Sequence, residues 1–591
     1  MRLRLNTFKG EIPRVNKTLL PDGHAQASVD ADHSSGAIEP IRKNVTAHTA
    51  ATVPADFYLH KGTDWLTFTA SVDVVPGPTV ADRLYISKAG ADPYLKVMPA
   101  GTEYPLAIPT PSAPPTTSLE TDTSFAGASQ EPYDAALTNT EFVTAVYNDI
   151  LGRDPDPAGL TFWVGHLDAA NVTRAEFIDE VERSSENILP PRIEDEVFVY
   201  TWVSIFDEES LPSPPSTALE VPEGSTVRIT FIDQPPTGSR IDRLRVYRTQ
   251  SSNVGSTEFQ FVKELNSATT AYVHDVSVDQ PQEVLPSTYY DPPVTGLQGF
   301  TALQGGVIAG FKGKSVQFCE PYRPHAWPGK YELITDYDVV ALVAFGPILA
   351  ILTTGTPYIA QGNSPESMVM ERIEQNMPCV SADGVVDMGY AAAYPSPDGL
   401  VTLSQSGAQI VTKPLFSREQ WAALAPETIS AGQVTGKYVF SYQRAGAGSR
   451  EAAIIDLTGQ TPFLIRSTLE ATHLRDDVYT GSLHYIKGDT SIREFASVDA
   501  GYSAMRWKSA QYHLPTLTSF GAILIDGEKL SDPSGFIAKI YRDGVEHASI
   551  TTISEPMRVP PGLGRRWEVE VEGTARIERI TLAGDIAEIW S

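Results

Sequence analysis

The sequence predicts a mainly β protein: a β-propeller with flanking β-sandwich domains and a small inserted α-helical domain. Three observations lead there. Forty-five prolines and 44 glycines punctuate many short runs of Val, Ile, Thr and Tyr, the pattern of strands separated by turns. From about residue 296 a phrase of strand, turn and strand returns at intervals of roughly 30 to 50 residues, the period of propeller blades. A single segment departs from this and carries the periodicity of amphipathic helices.

The length of 591 residues, with 41% hydrophobic and 20% charged residues, calls for several cores, because one core stops growing near about 250–300 residues. The net charge of −28 argues against sequence-independent nucleic-acid binding, which needs clustered Lys and Arg to neutralise phosphates. It is compatible with a wall that DNA slides past. Only Cys319 and Cys379 are present, so neither a disulfide framework nor a four-cysteine zinc site can be built. "MRLRLNTFKGEIP" has no apolar run behind its basic start and does not read as a signal peptide.

Taken in order, residues 1–50 read as an N-terminal arm, with seven Lys/Arg against five acids. Residues 51–119 and 197–295 supply strands such as "DRLYISK", "EVFVYTWVSIF" and "RLRVYRT", expected to form one discontinuous fibronectin-like sandwich. In the last of these Leu244 and Val246 share one face, leaving Arg243 and Arg245 on the other, expected to be solvated. Residues 120–196 interrupt the sandwich. They hold 17 acids and four arginines, a net of −13, and three short helices. Thr138 with Glu141 and Thr173 with Glu176 make capping boxes, and Asp156 before Pro157 makes an N-cap with proline in the first turn. The seams are "TPSAPPTTS" (110–118) and Pro190-Pro191.

Residues 296–515 form the propeller, with five blades expected. Within it "VVALVAFGPILAIL" (339–352) is too short for a membrane helix, which needs about 18–20 apolar residues, and reads as two buried strands turning at Gly346-Pro347. Residues 516–591 alternate cleanly and read as a C-terminal β-sandwich.

No motif supplies chemistry. Gly313-Lys314-Ser315 looks like the end of a phosphate-binding loop, but the glycine required at position 308 is Ile308 and "SVQF" reads as a strand rather than a helix. Lys312 and Lys314 are expected at a hairpin tip, and Cys319 in the core. "CEPYRPHAWP" offers Cys319 and His325, too few ligands for a closed zinc site, and reads as a rigid loop. Asp154 and Asp156 lack the further acids of a calcium loop. "SPDGL" (396–400) is a poor copy of a sialidase Asp-box, and no nucleophile elbow or zinc-protease helix occurs. The expectation is a non-enzyme with no catalytic, cofactor-binding or metal residues and no membrane segment.

Three regions resemble phage tail nozzle proteins of short-tailed phages, the tail tubular protein B type: "LNTFKGEIPRVNKTLLPDGHAQASVDADHSSGAIEPIRK" (5–43), "DEESLPSPP" followed by "RIDRLRVYRT", and "SVQFCEPYRPHAWPGKY" with "SPDGLVTL". That resemblance implies a structural virion protein, assembled in the host cytoplasm. It would form a ring of identical subunits, a homohexamer, below the tail adaptor protein around the DNA ejection channel. Tail fibres or spikes would be neighbours, and genomic DNA would pass without specific binding. "LTNTEFVTAVYNDILGRDPDPAGLTFWVGHLDAANVTRAEFIDEVERSSE" (137–186) resembles the DUF4214 module of secreted and cell-surface bacterial proteins, which the nozzle family does not require. It keeps open a receptor-binding or carbohydrate-binding tail adhesin.

Overall fold

The computed structural model describes residues 2–120, 133–184, 193–222, 225–251, 257–275, 282–459 and 461–590. They fall into two compact units, one of residues 1–107 with 292–591 and the other of 108–291. Pro190 and Pro191, expected as a seam, lie outside the described residues.

The first unit is built on four-stranded antiparallel meanders. Blade 1 spans 73–105, blade 2 spans 298–334, blade 3 spans 339–372, blade 4 spans 386–410 and blade 5 spans 430–467. Blade 6 takes three strands from 473–494 and its outer strand, Val45–Thr49, from the other end of the chain, pairing Ser491 with Thr49. The first strands form a ring: Asp73–Pro76 touches Gln298–Leu303, which touches Val339–Phe345, and so on through blades 4, 5 and 6. A two-stranded hairpin, Asp56–His60 with Asp64–Phe68, closes the circle. One of its faces, Phe57 and Trp65, packs on Ile486 and Ile492 of blade 6. The other, Tyr58, Leu66 and Phe68, packs on Leu84 and Ile86 of blade 1. The ring therefore has seven positions, six full and one half-filled.

Five blades after residue 296 were expected, and five meanders start there. The sixth, blade 1, comes from the stretch assigned to the sandwich. Blades are covered on both faces, so their second strands are buried along almost their whole length rather than alternately. Ile348–Thr353 and Lys437–Tyr442 are buried at every residue. That explains the run at 339–352, which forms strands Val339–Phe345 and Ile348–Thr353 about a turn where Gly346 takes φ +57°, a conformation costly for residues with a Cβ.

Residues 1–50 are not an arm. Leu3–Leu5 pairs with the last long strand, Leu3 opposite Leu582. Ala25–Val29 lies between blade 5 and Met505–Ser509, so blade 5 runs on into the C-terminal sandwich as one sheet. This sandwich begins near 505 rather than 516. Its core, including Trp507, Phe520, Ile525, Trp567 and Ile580, also takes in Leu5, Phe8, Ala25, Ala31 and Ile38 from the N-terminal residues.

The second unit is the sandwich, smaller than expected because 51–107 belong to the ring. Thr116–Glu120, Thr226–Thr230 and Ala271–Asp275 form one sheet, and Phe198–Ser204, Ile241–Ser251 and Thr257–Asn266 another. Phe198, Tyr200, Trp202, Ile229 and Leu244 fill the space between them. The segment after Phe198–Ser204 is held through serines: Ser210, Ser213 and Ser216 accept the backbone N–H of Trp202, Tyr200 and Phe198. The same serines return their backbone N–H to the carbonyls of Trp202, Tyr200 and Phe198, so the segment stays paired at each serine although its prolines have no N–H to donate. Arg243 and Arg245 are not simply solvated. Arg243 pairs with Asp207 at 2.7 Å, and Arg245 with Glu209 at 3.0 Å and Glu264 at 2.8 Å.

Between Glu120 and Ile193 stand helices α1 (Asn139–Leu151), α2 (Pro157–Asp168) and α3 (Arg174–Glu182). Both capping boxes form, and Asp156 accepts from Ala158 and Gly159 N–H. The module's core, including Phe142, Val146, Tyr147, Leu167 and Phe177, is drawn from its own residues.

Candidate functional site

The ring's first strands enclose a cavity of about 620 Å³, reached by blades 1 to 3, the turn before blade 4, and blades 5 and 6. Polar groups gather on one side. Arg475, in His473–Asp476 of blade 6, donates to Phe57 O at 3.1 Å, Val72 O at 2.6 Å and Asp56 Oδ2 at 3.2 Å. One guanidinium thus ties blade 6 to the hairpin and to the entrance of blade 1. Asp56 is fully buried. It also accepts Val72 N–H at 2.8 Å and lies 3.0 Å from His473 Nε2. Burial alone would raise its pKa, but the Arg475 charge and the His473 contact outweigh burial and hold it below the usual value.

Two further carboxylates on the wall form no ion pair among the described residues; the Arg475 charge reaches both but does not offset their burial. Asp73 begins blade 1 and accepts Gly299 N–H at 3.1 Å and the Ser87 hydroxyl at 3.3 Å. Burial pushes its carboxyl up to about 6. Burial also raises Asp476. Gly299 approaches closely because the Phe311 ring occupies the space of a Cβ, 2.1 Å away, and its φ is +72°. Asp383, from the turn before blade 4, reaches this same cluster, 3.3 Å from the Ser71 hydroxyl and 4.0 Å from His473 Nδ1. Among the described residues no group of three or more His, Cys, Asp or Glu could hold a metal ion.

The motifs singled out in the sequence lie elsewhere. Lys312 and Lys314 are exposed around the turn of a hairpin, Ile308 is buried, and a strand follows Lys314. Cys319 takes Ile308 N–H on its sulfur at 3.0 Å, and burial pushes its thiol up to about 12. His325 is buried in the same loop, whose Trp327 stacks on Phe300 at 5.5 Å and donates to Pro324 O. Asp154 accepts from Asn148, and Asp398 of "SPDGL" pairs with Arg418 at 2.7 Å. The axial residues were missed by motif reading, since Asp56 and Arg475 are 419 positions apart. The available signal was a lone acid, Asp73, inside the apolar "SVDVVP".

These features define a mainly β chain: a propeller continuous with a C-terminal sandwich, and a second sandwich interrupted by helices. Residues 124–189 match the family described as Domain of unknown function (DUF4214), so the helical insertion is a DUF4214 domain. No curated protein matches the chain. Among solved structures it is similar to the Neurospora crassa Pan2 WD40 domain, at 9% identity and a TM-score of 0.26, covering 47% of this chain and 88% of that one. It is also similar to the computationally designed Ika8 protein, at 11% identity and a TM-score of 0.25, covering 47% and 92%. The propeller assignment rests on the sheet topology above and not on these matches. No helix among the described residues is long and apolar enough to cross a membrane.

Proposed function

We propose that the chain is a structural subunit of a short-tailed phage tail, a nozzle-type protein forming a sixfold ring around the DNA ejection channel below the adaptor. The observation carrying this reading is where the resembling stretch 5–43 lies. Its strand Ala25–Val29 joins blade 5 to the C-terminal sandwich, and Glu11 N–H bonds Leu464 O at 2.7 Å. A stretch so placed makes one stiff body of two β domains, as a channel wall under pressure requires. The net charge of −28 supports passage of DNA without retention. Identical surfaces would close the ring by cyclic symmetry, tail fibres or spikes would dock outside it, and the reading assigns no turnover activity.

The test is electron microscopy of the purified full chain, alone and with its adaptor. Hollow sixfold rings are expected; monomers or trimers in both samples would overturn the reading. A second reading, a tail adhesin, is favoured by the DUF4214 domain, whose α2 exposes Phe162 at 55%. Trimers that bind host glycan and lose that binding in Phe162→Ala would establish it instead.

A further inference from the structure

We propose that the half-filled seventh position of the ring takes an extended strand from another protein, paired through its backbone to the free edge of Asp64–Phe68. Six positions hold four strands and this one holds two. Blade 6 already uses the same device within the chain, since its outer strand is supplied by the remote segment Val45–Thr49. The open edge is presented for pairing. Phe57 directs neither of its backbone groups into the hairpin: Asp56 Oδ1 accepts its N–H at 2.6 Å, and Arg475 donates to its carbonyl at 3.1 Å. Residues opposite one another in an antiparallel pair either both face inward or both face outward. Thr67, opposite Phe57, therefore turns its N–H and carbonyl to the outer edge, and Trp65, two positions earlier, does the same. Among the described residues no strand pairs with that side of Asp64–Phe68, and such an edge is a template for a strand from another chain.

The neighbouring blades select the occupant. In blade 6, His48 lies opposite Ile492 and Val45 opposite Glu494. Ile492 packs on the hairpin, so His48 and Val45, the latter 40% exposed, line the position just beyond it. In blade 1, Tyr94 lies opposite both Ile86 and Pro105, and Ile86 packs on the hairpin from the other side. Tyr94 and Pro105 thus form the second wall. The packing between blades continues outward on both sides past the point where the hairpin stops. A strand entering there is covered on both faces, which calls for apolar side chains at successive positions rather than alternate ones. The chain's own third strand in blade 3, Tyr358–Gln361, is of this kind and is buried at its first three residues. Asp64, exposed on the open strand, forms no ion pair among the described residues, and the net charge of −28 disfavours an acidic visitor. The occupant is a short, continuously apolar segment with a neutral or basic flank. The inference rests on the sheet topology and not on the nozzle reading, so a chain that forms no sixfold ring leaves it standing.

The experiment selects binders for the full-length protein from a library of random peptides of about eight residues, enough for one strand and its ends, and measures the enriched peptides by fluorescence anisotropy. Peptides with consecutive apolar residues are expected. Methylating alternate backbone nitrogens of a selected peptide, those that face Thr67 and Trp65, should abolish binding, while methylating the intervening ones should not, a period of two that strand addition imposes. Thr67→Pro, which removes an outward N–H, and Val45→Glu should each weaken binding about tenfold, about 1.4 kcal/mol. Val369→Glu, exposed on the outer strand of blade 3, should leave it unchanged. Thermal melts confirm that each variant is folded, and Val45→Glu decides the matter if Thr67→Pro is not. No enriched peptide, binding indifferent to N-methylation, or equal loss in all three variants would each overturn the proposal. So would self-association that is lost in Thr67→Pro while no peptide binds the parent, because the edge would then belong to a second copy of this chain.

Discussion

The helical module and the propeller reach stable cores by opposite routes. The module is assembled from about fifty consecutive residues, each helix begins at its own cap, and its apolar faces meet one another. The ring is completed by pieces from far along the chain: Val45–Thr49 finishes blade 6, blade 1 precedes blade 2 by almost two hundred residues, and Arg475 reaches back to Asp56. Local cores are set by nearby pattern, whereas a closed ring is set by which distant edge remains unfilled. The difference teaches where mutations spread: damage to a local core stays local, while damage to a closure reaches every blade.

The largest test removes the closure. Deleting residues 1–50 takes a strand from blade 6, one from the joining sheet and one from the C-terminal sandwich. The first unit is expected to lose cooperative unfolding and protease resistance, while the second keeps its own transition in calorimetry. An unaltered first-unit transition would break the comparison. Next, Phe177→Ala should cost about 3–5 kcal/mol as a buried aromatic is truncated, with the loss confined to hydrogen exchange in residues 133–184. Protection lost in the blades as well would show that the module is not self-contained.

Arg475→Met comes third. It leaves Asp56 buried without its main cation, a change that costs about 3–5 kcal/mol when both partners are buried. The side chain of Arg475 is 24% exposed, so about 2–3 kcal/mol is expected, read as a lower midpoint for the ring in denaturant. Asp73→Asn is the smallest and has the opposite sign. A carboxyl whose folded pKa is about 6, above the ordinary 3.8, contributes stability that is present below about pH 4 and lost as pH rises through 6. The variant should therefore gain about 1–2 kcal/mol over the parent at pH 8 and nothing at pH 4. A gain independent of pH would sink that account.

The same contrast decides how much was legible in the sequence. The caps at Thr138, Asp156 and Thr173 could be read because a cap and its partner lie within three residues. So could the hairpin at Gly346, and the five meanders after 296. The seventh position could not, because nothing in "DFYLHKGTDWLTF" says whether it pairs within a sandwich or wedges between two blades. The arm was misjudged for a related reason: its strands are short and half-polar, and their partners are residues such as Arg466 and Leu582. The axial site was hidden because its carboxylates become neighbours only when the ring closes.

The pairing of Leu3 with Leu582 also orders events in time. A ribosome releases the first residues hundreds of peptide bonds before their partners exist, so the amino-terminal strand must wait, unpaired, through almost the whole of synthesis. The unit of residues 108–291 emerges during that wait with all its strands present and can fold while the chain is still growing. The surrounding unit cannot finish until the final strand leaves the exit tunnel, and its many distant pairings make that last step slow. A ribosome stalled a few dozen residues short would therefore present residues 108–291 already folded and every strand of the ring already synthesised, while the C-terminal sandwich still lacked the strand that Leu3 pairs with.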